Sequence, residues 1–571
     1  MYIKKAGFIL VIVCCLGIAG TSWTQPVFNP RDINDLWYVW TEYNGPNTDI
    51  YCSHWNGSSW AEPAKLTDTS TSNFTPSVAQ DKDGNPWVVW TGWDGVNTSI
   101  YCRHRQENGH WAPVAQVDDV DIYSDSAPAI TFDNSNKPWV TWSVNDGRDD
   151  DIYVSCWEMK HWSSPVMINN DNLTPDIMPA IISDSNNNII IAWCGFDTDR
   201  YKLFCSTKKD KRWSTPKLII PENNRFSADL PGMLKTRNAE VKLLWYENNQ
   251  CYESLWNGSI WSQPQSAHFL LPEDFLEKFS IGPAYISWNE HDIFQSIRII
   301  PPQQQKEPIT ARYPYQKTSK YFAWINNLVS PSAYAEAEPT RYVAFGNSVT
   351  EGVGATDPRS TYAYPPRLEE KLNLSIGSSV VYNLGVGGER TIDGLDRMDS
   401  VIAQYNPQYV LILEGINDMT YQYSTSTIIF NLGQMIDKVI AFGATPLLAS
   451  LPPRTDCLAN RVKDDMNPAI QRLAEEKVVT FVDQYTTLAE DTDIYMSDRK
   501  HPNDAGYEIM ATNWFNAIAS IIVPPDNGDD GGGCGALPPI YRNNNNGPNN
   551  NLLYPLLAVL ILLWGRKRIF R

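Results

Sequence analysis

Phe345-Gly346-Asn347-Ser348-Val349-Thr350-Glu351-Gly352 decides how the C-terminal half of this chain is read. The stretch follows the apolar run Tyr342–Phe345, and similar runs recur at Val410–Leu413, Pro446–Ser450 and Val478–Val482. Segments of helical spacing, such as Ile428–Phe442 and Met466–Lys477, lie between them. Alternating strand and helix signals predict an α/β domain with a parallel sheet over residues 341–522. Such sheets receive ligands at their C-terminal edge. Ser348, just past the first predicted strand, is expected to present its hydroxyl there.

A serine nucleophile needs a base to take its proton and a carboxylate to orient that base. Between Pro302 and Val523 the chain has one histidine, His501, within Asp498-Arg499-Lys500-His501-Pro502. Any Ser/His hydrolase in this region must therefore use His501. Asp498, three residues earlier, can reach Nδ1 while Nε2 faces Ser348. Two further segments fit the same chemistry. Asn383-Leu384-Gly385-Val386-Gly387-Gly388 offers a flexible backbone able to aim an N–H at a developing oxyanion. Gly415-Ile416-Asn417-Asp418 follows the run ending at Leu413, and Asn417 brings a side-chain amide donor. Singly these read as a turn, a strand-end cap and a surface pair. In this order, on these elements, they read as one site.

The set resembles the SGNH (GDSL-like) hydrolase family over residues 341–522, roughly a third of the chain, with all four motif blocks present. The resemblance implies a three-layer α/β fold. It implies Ser348 as nucleophile, His501 as general base and Asp498 as its orienting carboxylate. It also implies an oxyanion hole from the Ser348 N–H, the Gly388 N–H and the Asn417 side chain. The implied reaction is ester hydrolysis through a serine ester, with no metal or organic cofactor. Acylated carbohydrates, lysophospholipids and other lipid-like esters, thioesters and small aryl esters all fit that chemistry. One departure is visible: the family usually has Gly-Asp-Ser, and here Asn347 takes the place of the Asp. Asn is nearly isosteric and keeps an acceptor oxygen, so the turn is expected to survive. The lost charge bears on pH dependence and local hydrogen bonding.

The N-terminal half is a repeat. Trp40, Trp90, Trp142, Trp193, Trp245 and Trp288 each end a short apolar strand, at steps of 50, 52, 51, 52 and 43 residues by subtraction. A further tryptophan opens the last strand of each clear repeat: Trp60, Trp111, Trp162, Trp213 and Trp261. Groups of about four short strands recurring near every fifty residues predict an all-β propeller over residues 26–300, with five or six blades. Five are clear, and a partial sixth lies near Ile281–Ile300, with the segment near Pro26 placed to close the ring. Asp81-Lys82-Asp83-Gly84-Asn85-Pro86-Trp87 resembles the Asp-box turn of sialidase-like propellers, a structural turn. A glycosidase would need clustered arginines and a carboxylate pair. Arg103, Arg105, Arg148 and Arg200 are spaced without such a cluster, and Asp149-Asp150-Asp151 reads as a solvated loop. Cys52, Cys102, Cys156, Cys205 and Cys251 recur one per repeat, which separates them in space and predicts buried thiols, not disulfides. No C-x-x-C or His-rich pair suggests zinc.

The ends carry address signals. Lys4 and Lys5 precede an apolar run to Ala19, which reads as a signal peptide over residues 1–20. Residues 301–340 read as a linker and 523–551 as a Gly/Asn/Asp/Pro-rich one. Residues 552–571 hold an apolar stretch and then Arg566-Lys567-Arg568, resembling a bacterial C-terminal sorting signal. A cleaved signal and a retained membrane anchor both fit. A net charge of -19 disfavours nucleic acid and anionic surfaces. The expectation is an exported, secreted or cell-surface serine esterase whose propeller binds a polymer or partner. The competing expectation is a carbohydrate-binding or adhesion protein with a vestigial hydrolase domain.

Overall fold

The computed structural model describes residues 36–299, apart from short loop stretches and residues 268–280, and residues 338–522 apart from 357 and 358. The signal segment, the tail beyond Ile522 and most of the expected linker lie outside the described residues. Thr340, placed in the linker by its composition, opens the first strand of the α/β unit. Among the described residues no helix is long and apolar enough to cross a membrane.

Residues 36–299 form five antiparallel sheets of four or five strands. The sixth tryptophan-ended strand founds no sheet of its own. Ile281–Glu290 pairs with Leu36–Asn44, so the last repeat completes the first. The innermost strands touch in a cycle: Ile281–Glu290, Asn73–Gln80, Ser124–Phe132, Asp176–Ser183, Asp229–Lys235 and then Ile293–Ile299, which pairs back onto Ile281–Glu290. Apolar clusters fill the wedges between neighbouring sheets. Trp90 is buried with Val39 and Ile50 of the preceding sheet, Trp142 with Val89 and Ile100, Trp193 with Ile152 and Val154. Each of these indoles is about 1% exposed, which explains why every repeat keeps a large flat side chain there. Turns between strands are locked by aspartate. Asp81, Asp133 and Asp184 each accept from backbone N–H groups two and four residues on, at 2.8–3.0 Å. The cysteines Cys52, Cys102, Cys156 and Cys205 are buried free thiols, and Cys251 is a half-buried one.

Residues 340–522 form a wholly parallel sheet in the order Ser379–Gly385, Thr340–Gly346, Tyr409–Leu413, Thr445–Ala449, Thr480–Val482. Alternate strand residues serve opposite faces. Val343, Phe345, Val410 and Ile412 pack under helices Thr391–Tyr405, Thr425–Phe442 and Asn467–Lys477. Tyr342, Ala344, Leu411 and Leu413 pack under helices Tyr364–Ser375 and Asp504–Ile522. The three layers result. The strand order turns about Thr340–Gly346, so the strands on either side of it leave a crevice at their C-terminal ends.

The two units share a junction. The ends of equivalent strands in the ring meet the α/β unit: Phe196 packs edge-on against Phe430 at 4.7 Å, and Asn145 bonds Ser426. Tyr201 donates to Asn431 at 2.9 Å, and the Ser227 hydroxyl to Asp396 at 2.6 Å. Asp150 of Asp149-Asp150-Asp151 is part of this junction, and its two neighbours are buried beside it, which corrects the expectation of a solvated loop. All three are buried, at 1%, 1% and 4% exposure. Asp150 accepts from the hydroxyls of Ser424 and Thr427, both at 2.5 Å, at the first turn of helix Thr425–Phe442. Acids stabilise that end of a helix. Asp150→Ala leaves the buried Thr427 hydroxyl and the half-buried Ser424 hydroxyl without their acceptor and is expected to cost about 1–3 kcal/mol. A lowered urea midpoint checks this; an unchanged one contradicts it.

Candidate active site

Ser348 occupies a tight turn that its neighbours make obligatory. Strand Thr340–Gly346 ends at Gly346, and the one-turn helix Ser348–Glu351 begins at once. Asn347 caps it, its Oδ1 accepting from Val349 N at 3.1 Å. The turn presses against the adjacent strand: a Cβ on Gly385 would lie 2.0 Å from Glu351 N, and one on Gly346 would lie 2.5 Å from Leu413 O. Backbone cannot yield to such contacts, so both positions demand glycine.

His501 arrives from the far end of the unit. Its Nε2 lies 3.0 Å from Ser348 Oγ, and its Nδ1 lies 2.7 Å from Asp498 Oδ2. With Nδ1 donating to the carboxylate, Nε2 is left as acceptor for the serine hydroxyl. Asp498 is itself held by the N–H groups of Lys500 and His501, both at 2.7 Å. Partial burial opposes its ionisation, yet the bonds from His501 and these amides keep its pKa below the usual range. Burial is the largest influence on His501 and lowers its pKa despite Asp498. The imidazole is thus neutral at pH 7.

The two donor segments close the other side. Gly388 has φ +82, a left-handed conformation natural to glycine. Val386 N donates to Gly346 O at 2.8 Å, tying this loop to the Ser348 turn. Asn417 follows strand Tyr409–Leu413, and its Nδ2 donates one N–H to Glu389 O at 2.7 Å. An amide nitrogen carries two N–H groups, so that bond orients the second. Asp418 accepts from Thr391 N at 3.0 Å and from the Thr391 hydroxyl. The segments ending in Gly388 and Asn417 are therefore cross-bonded at consecutive residues.

The sequence reading missed a layer of buried charge below the site. Glu389 pairs with Arg397, whose Nη2 also donates to Leu384 O at 2.8 Å. Glu414 is 1% exposed and accepts from Asn347 Nδ2 at 3.2 Å. Burial, with the nearby Glu389 carboxylate adding to it, raises Glu414 well above the ordinary carboxyl range. With Arg397 paired to Glu389, Glu414 is the carboxyl of the two whose ionisation is the more opposed. Its signal in the sequence is an acid closing the apolar run Leu411-Ile412-Leu413 directly before Gly415. Among the arginines weighed for a glycosidase, Arg103 bonds Leu66 O and Ala112 O, Arg105 bonds Gly109 O, Arg148 pairs with Asp146, and Arg200 pairs with Asp199. They are tied to separate local partners and form no common cluster.

Asn347→Asp restores the family's usual residue but removes the donor facing Glu414 and sets a second carboxyl against it. Full burial of this position holds the new Asp above its unfolded pKa, so the deficit grows as pH rises above about 4. A loss of about 1–3 kcal/mol in urea unfolding at pH 7 is expected, shrinking toward pH 4. Equal stability of the two proteins at pH 7 contradicts the pairing.

Residues 344–509 match the model of the GDSL-like lipase/acylhydrolase family. No curated protein matches the chain. Among solved structures the chain is similar to the psychrotrophic esterase EstA from Pseudoalteromonas sp., at 19% identity and TM-score 0.29, covering 32% of this chain and 98% of that one. It is similar to the lipase/acylhydrolase from Enterococcus faecalis, at 22% identity and TM-score 0.29, covering 32% and 96%. It is also similar to Axe2, an acetylxylan esterase from Geobacillus stearothermophilus, at 22% identity and TM-score 0.28, covering 31% and 94%. From the family match and the α/β unit that bears it, residues 344–509 are a GDSL-like lipase/acylhydrolase domain, and the chain is a serine hydrolase acting on ester bonds.

Proposed function

We propose that Ser348, His501 and Asp498 are the catalytic residues of an exported carboxylic-ester hydrolase. The observation that carries this reading is one unbroken line of hydrogen bonds, Ser348 Oγ to His501 at 3.0 Å and His501 to Asp498 at 2.7 Å. Ser348 Oγ attacks the acyl carbon as His501 Nε2 takes its proton. The tetrahedral oxyanion meets the Ser348 N–H, the Gly388 N–H and the free arm of the Asn417 amide. On collapse, the C–O bond to the alcohol breaks and His501 returns the proton to the leaving oxygen. Water, deprotonated by the same imidazole, then cleaves the serine ester and releases the acid. No step calls for a metal or organic cofactor.

We read the five N-terminal sheets as the blades of a β-propeller that binds the polymer or surface bearing the ester. The closed cycle of inner strands and the wedge-filling tryptophans support this. The substrate class is an acylated carbohydrate or a lipid-like ester. Trp93 favours the carbohydrate. It occupies the strand end equivalent to Asn145 and Phe196, on the face that meets the hydrolase domain, yet it is 37% exposed. An open indole on that face suits stacking against a sugar ring. The N-terminal apolar segment and the basic-ended tail support export, as a secreted protein or one attached to the cell surface or membrane through the tail. The cap that Asn347 forms on the Ser348 turn supports an active domain over a vestigial one.

Ser348→Ala is expected to abolish hydrolysis of p-nitrophenyl acetate with the circular dichroism unchanged; retained turnover would sink the assignment. Asn417→Ala should lower kcat by about 10²–10³, whereas a change confined to KM speaks against its oxyanion role. Because His501 must be neutral to act and its pKa is depressed, kcat/KM should rise with pH to a plateau, with its midpoint below 6.5. A midpoint above 7 contradicts the buried imidazole.

A further inference from the structure

Both loops of the site are held from outside the hydrolase domain. On the oxyanion side, Arg390 stands two residues after Gly388 and is buried. Its Nη2 lies 2.5 Å from Asp229 Oδ2, on an inner strand of the fifth N-terminal sheet. Tyr423 OH also donates to Asp229, at 3.2 Å. The residues flanking Arg390 are the ones already bonded to the second donor segment, Glu389 O to Asn417 and Thr391 N to Asp418. Asp229 is thus one residue removed from the backbone that orients the Asn417 amide. The ring does not itself require this acid. At the same bulge the second, third and fourth sheets carry Phe74, Ser126 and Ile177. A bulge is also a place where a strand re-aims a side chain.

On the acid–base side the contact is Tyr43, near the end of strand Leu36–Asn44. Its hydroxyl donates to Asp456 Oδ2 at 3.0 Å, and the Arg499 guanidinium lies over its ring at 5.1 Å. Asp456 is paired with Arg454, whose Nη1 donates to Ile416 O at 3.2 Å, next to Asn417. Between them, Thr455 N donates to Arg499 O at 3.0 Å, two residues from His501. One tripeptide therefore couples the Asn417 loop, the His501 loop and the first N-terminal sheet.

We propose that Asp229 and Tyr43 are positioning residues for ester hydrolysis: the N-terminal ring sets the distance between the oxyanion donors and the acid–base loop. The inference rests on the Ser348–His501–Asp498 reading and assigns the ring a part in turnover besides binding. Loops at strand ends have several accessible conformations, and a misplacement near 1 Å costs about 10²-fold in rate. A buried ion pair across a junction selects one register, because any other leaves a charge without its partner. Arg390 keeps Asp393 at 3.0 Å when Asp229 is neutralised, so the fold has a partner to fall back on.

The test uses the full chain and p-nitrophenyl acetate, with kcat expressed per site titrated by a serine-reactive phosphonate, so that unfolded molecules do not count. Asp229→Asn is expected to lower kcat about 10–100-fold with KM within about two-fold, and Asp229→Glu, which restores the charge, to recover most of it. Tyr43→Ala should lower kcat about 10-fold, and Tyr43→Phe, which keeps the ring under Arg499, should lie between it and the parent. Where Asp229→Asn or Tyr43→Ala yields no titratable protein, Asp229→Glu and Tyr43→Phe carry the comparison through their intermediate kcat. Parental kcat per site in these variants, or losses confined to KM, overturn the proposal. Ser348→Ala run alongside separates the two readings. If it is dead while the others turn over normally, only the positioning role falls. If it remains active, the catalytic assignment falls as well.

Discussion

An imidazole held between a hydroxyl and a carboxylate is the constraint around which this molecule is arranged. The Ser348–His501 contact spans 153 residues of chain and closes at 3.0 Å. Ser348 is delivered by the first strand of the parallel sheet and His501 by the loop before its last helix. Every strand between them must lie in register for the two to meet. The close approach of backbone at Gly346 and Gly385 belongs to the same requirement, since the Ser348 turn can enter the crevice only where neighbouring residues lack side chains.

The environment of that contact is drier and more highly charged than its surface suggests. Ser348, Asn417 and His501 are all less than a tenth exposed, and beneath them lie the buried Glu389 and Glu414 with the half-buried Arg397. Buried charges act as organisers here because each has a specified partner. Arg397 neutralises Glu389, burial opposes ionisation of Glu414, and Asn347 donates to Glu414. The departure Asn347 is thus matched to its surroundings: an amide supplies the N–H that a carboxylate at this position lacks.

The junction between the units follows the same logic with acids supplied by the ring. Asp150 meets the first turn of helix Thr425–Phe442, and Asp229 meets Arg390. Ser227, through Asp396, and Tyr201, through Asn431, extend the contact. An apolar cluster runs without a break from the fourth and fifth sheets into the helices of the hydrolase domain.

The alternation of strand and helix signals, the tryptophan period and the Ser348, His501 and Asp498 candidates were legible along the chain, because each rests on local periodicity or on the scarcity of one residue type. That the sixth repeat has no sheet of its own and completes the first was not, because strand pairing over some 250 residues leaves no local mark. The acidic run at Asp149 misled for a related reason: three carboxylates in a row favour water unless a partner surface supplies donors, and Ser424 and Thr427 lie far away in sequence. Arg390 and Tyr43 carry no local mark, since their meaning comes entirely from what faces them. Chain order by itself determined which chemistry is available and which elements bear it. Tertiary structure decided which charges are buried, which are paired and what holds the loops apart, because desolvation and pairing depend on neighbours that only folding brings together.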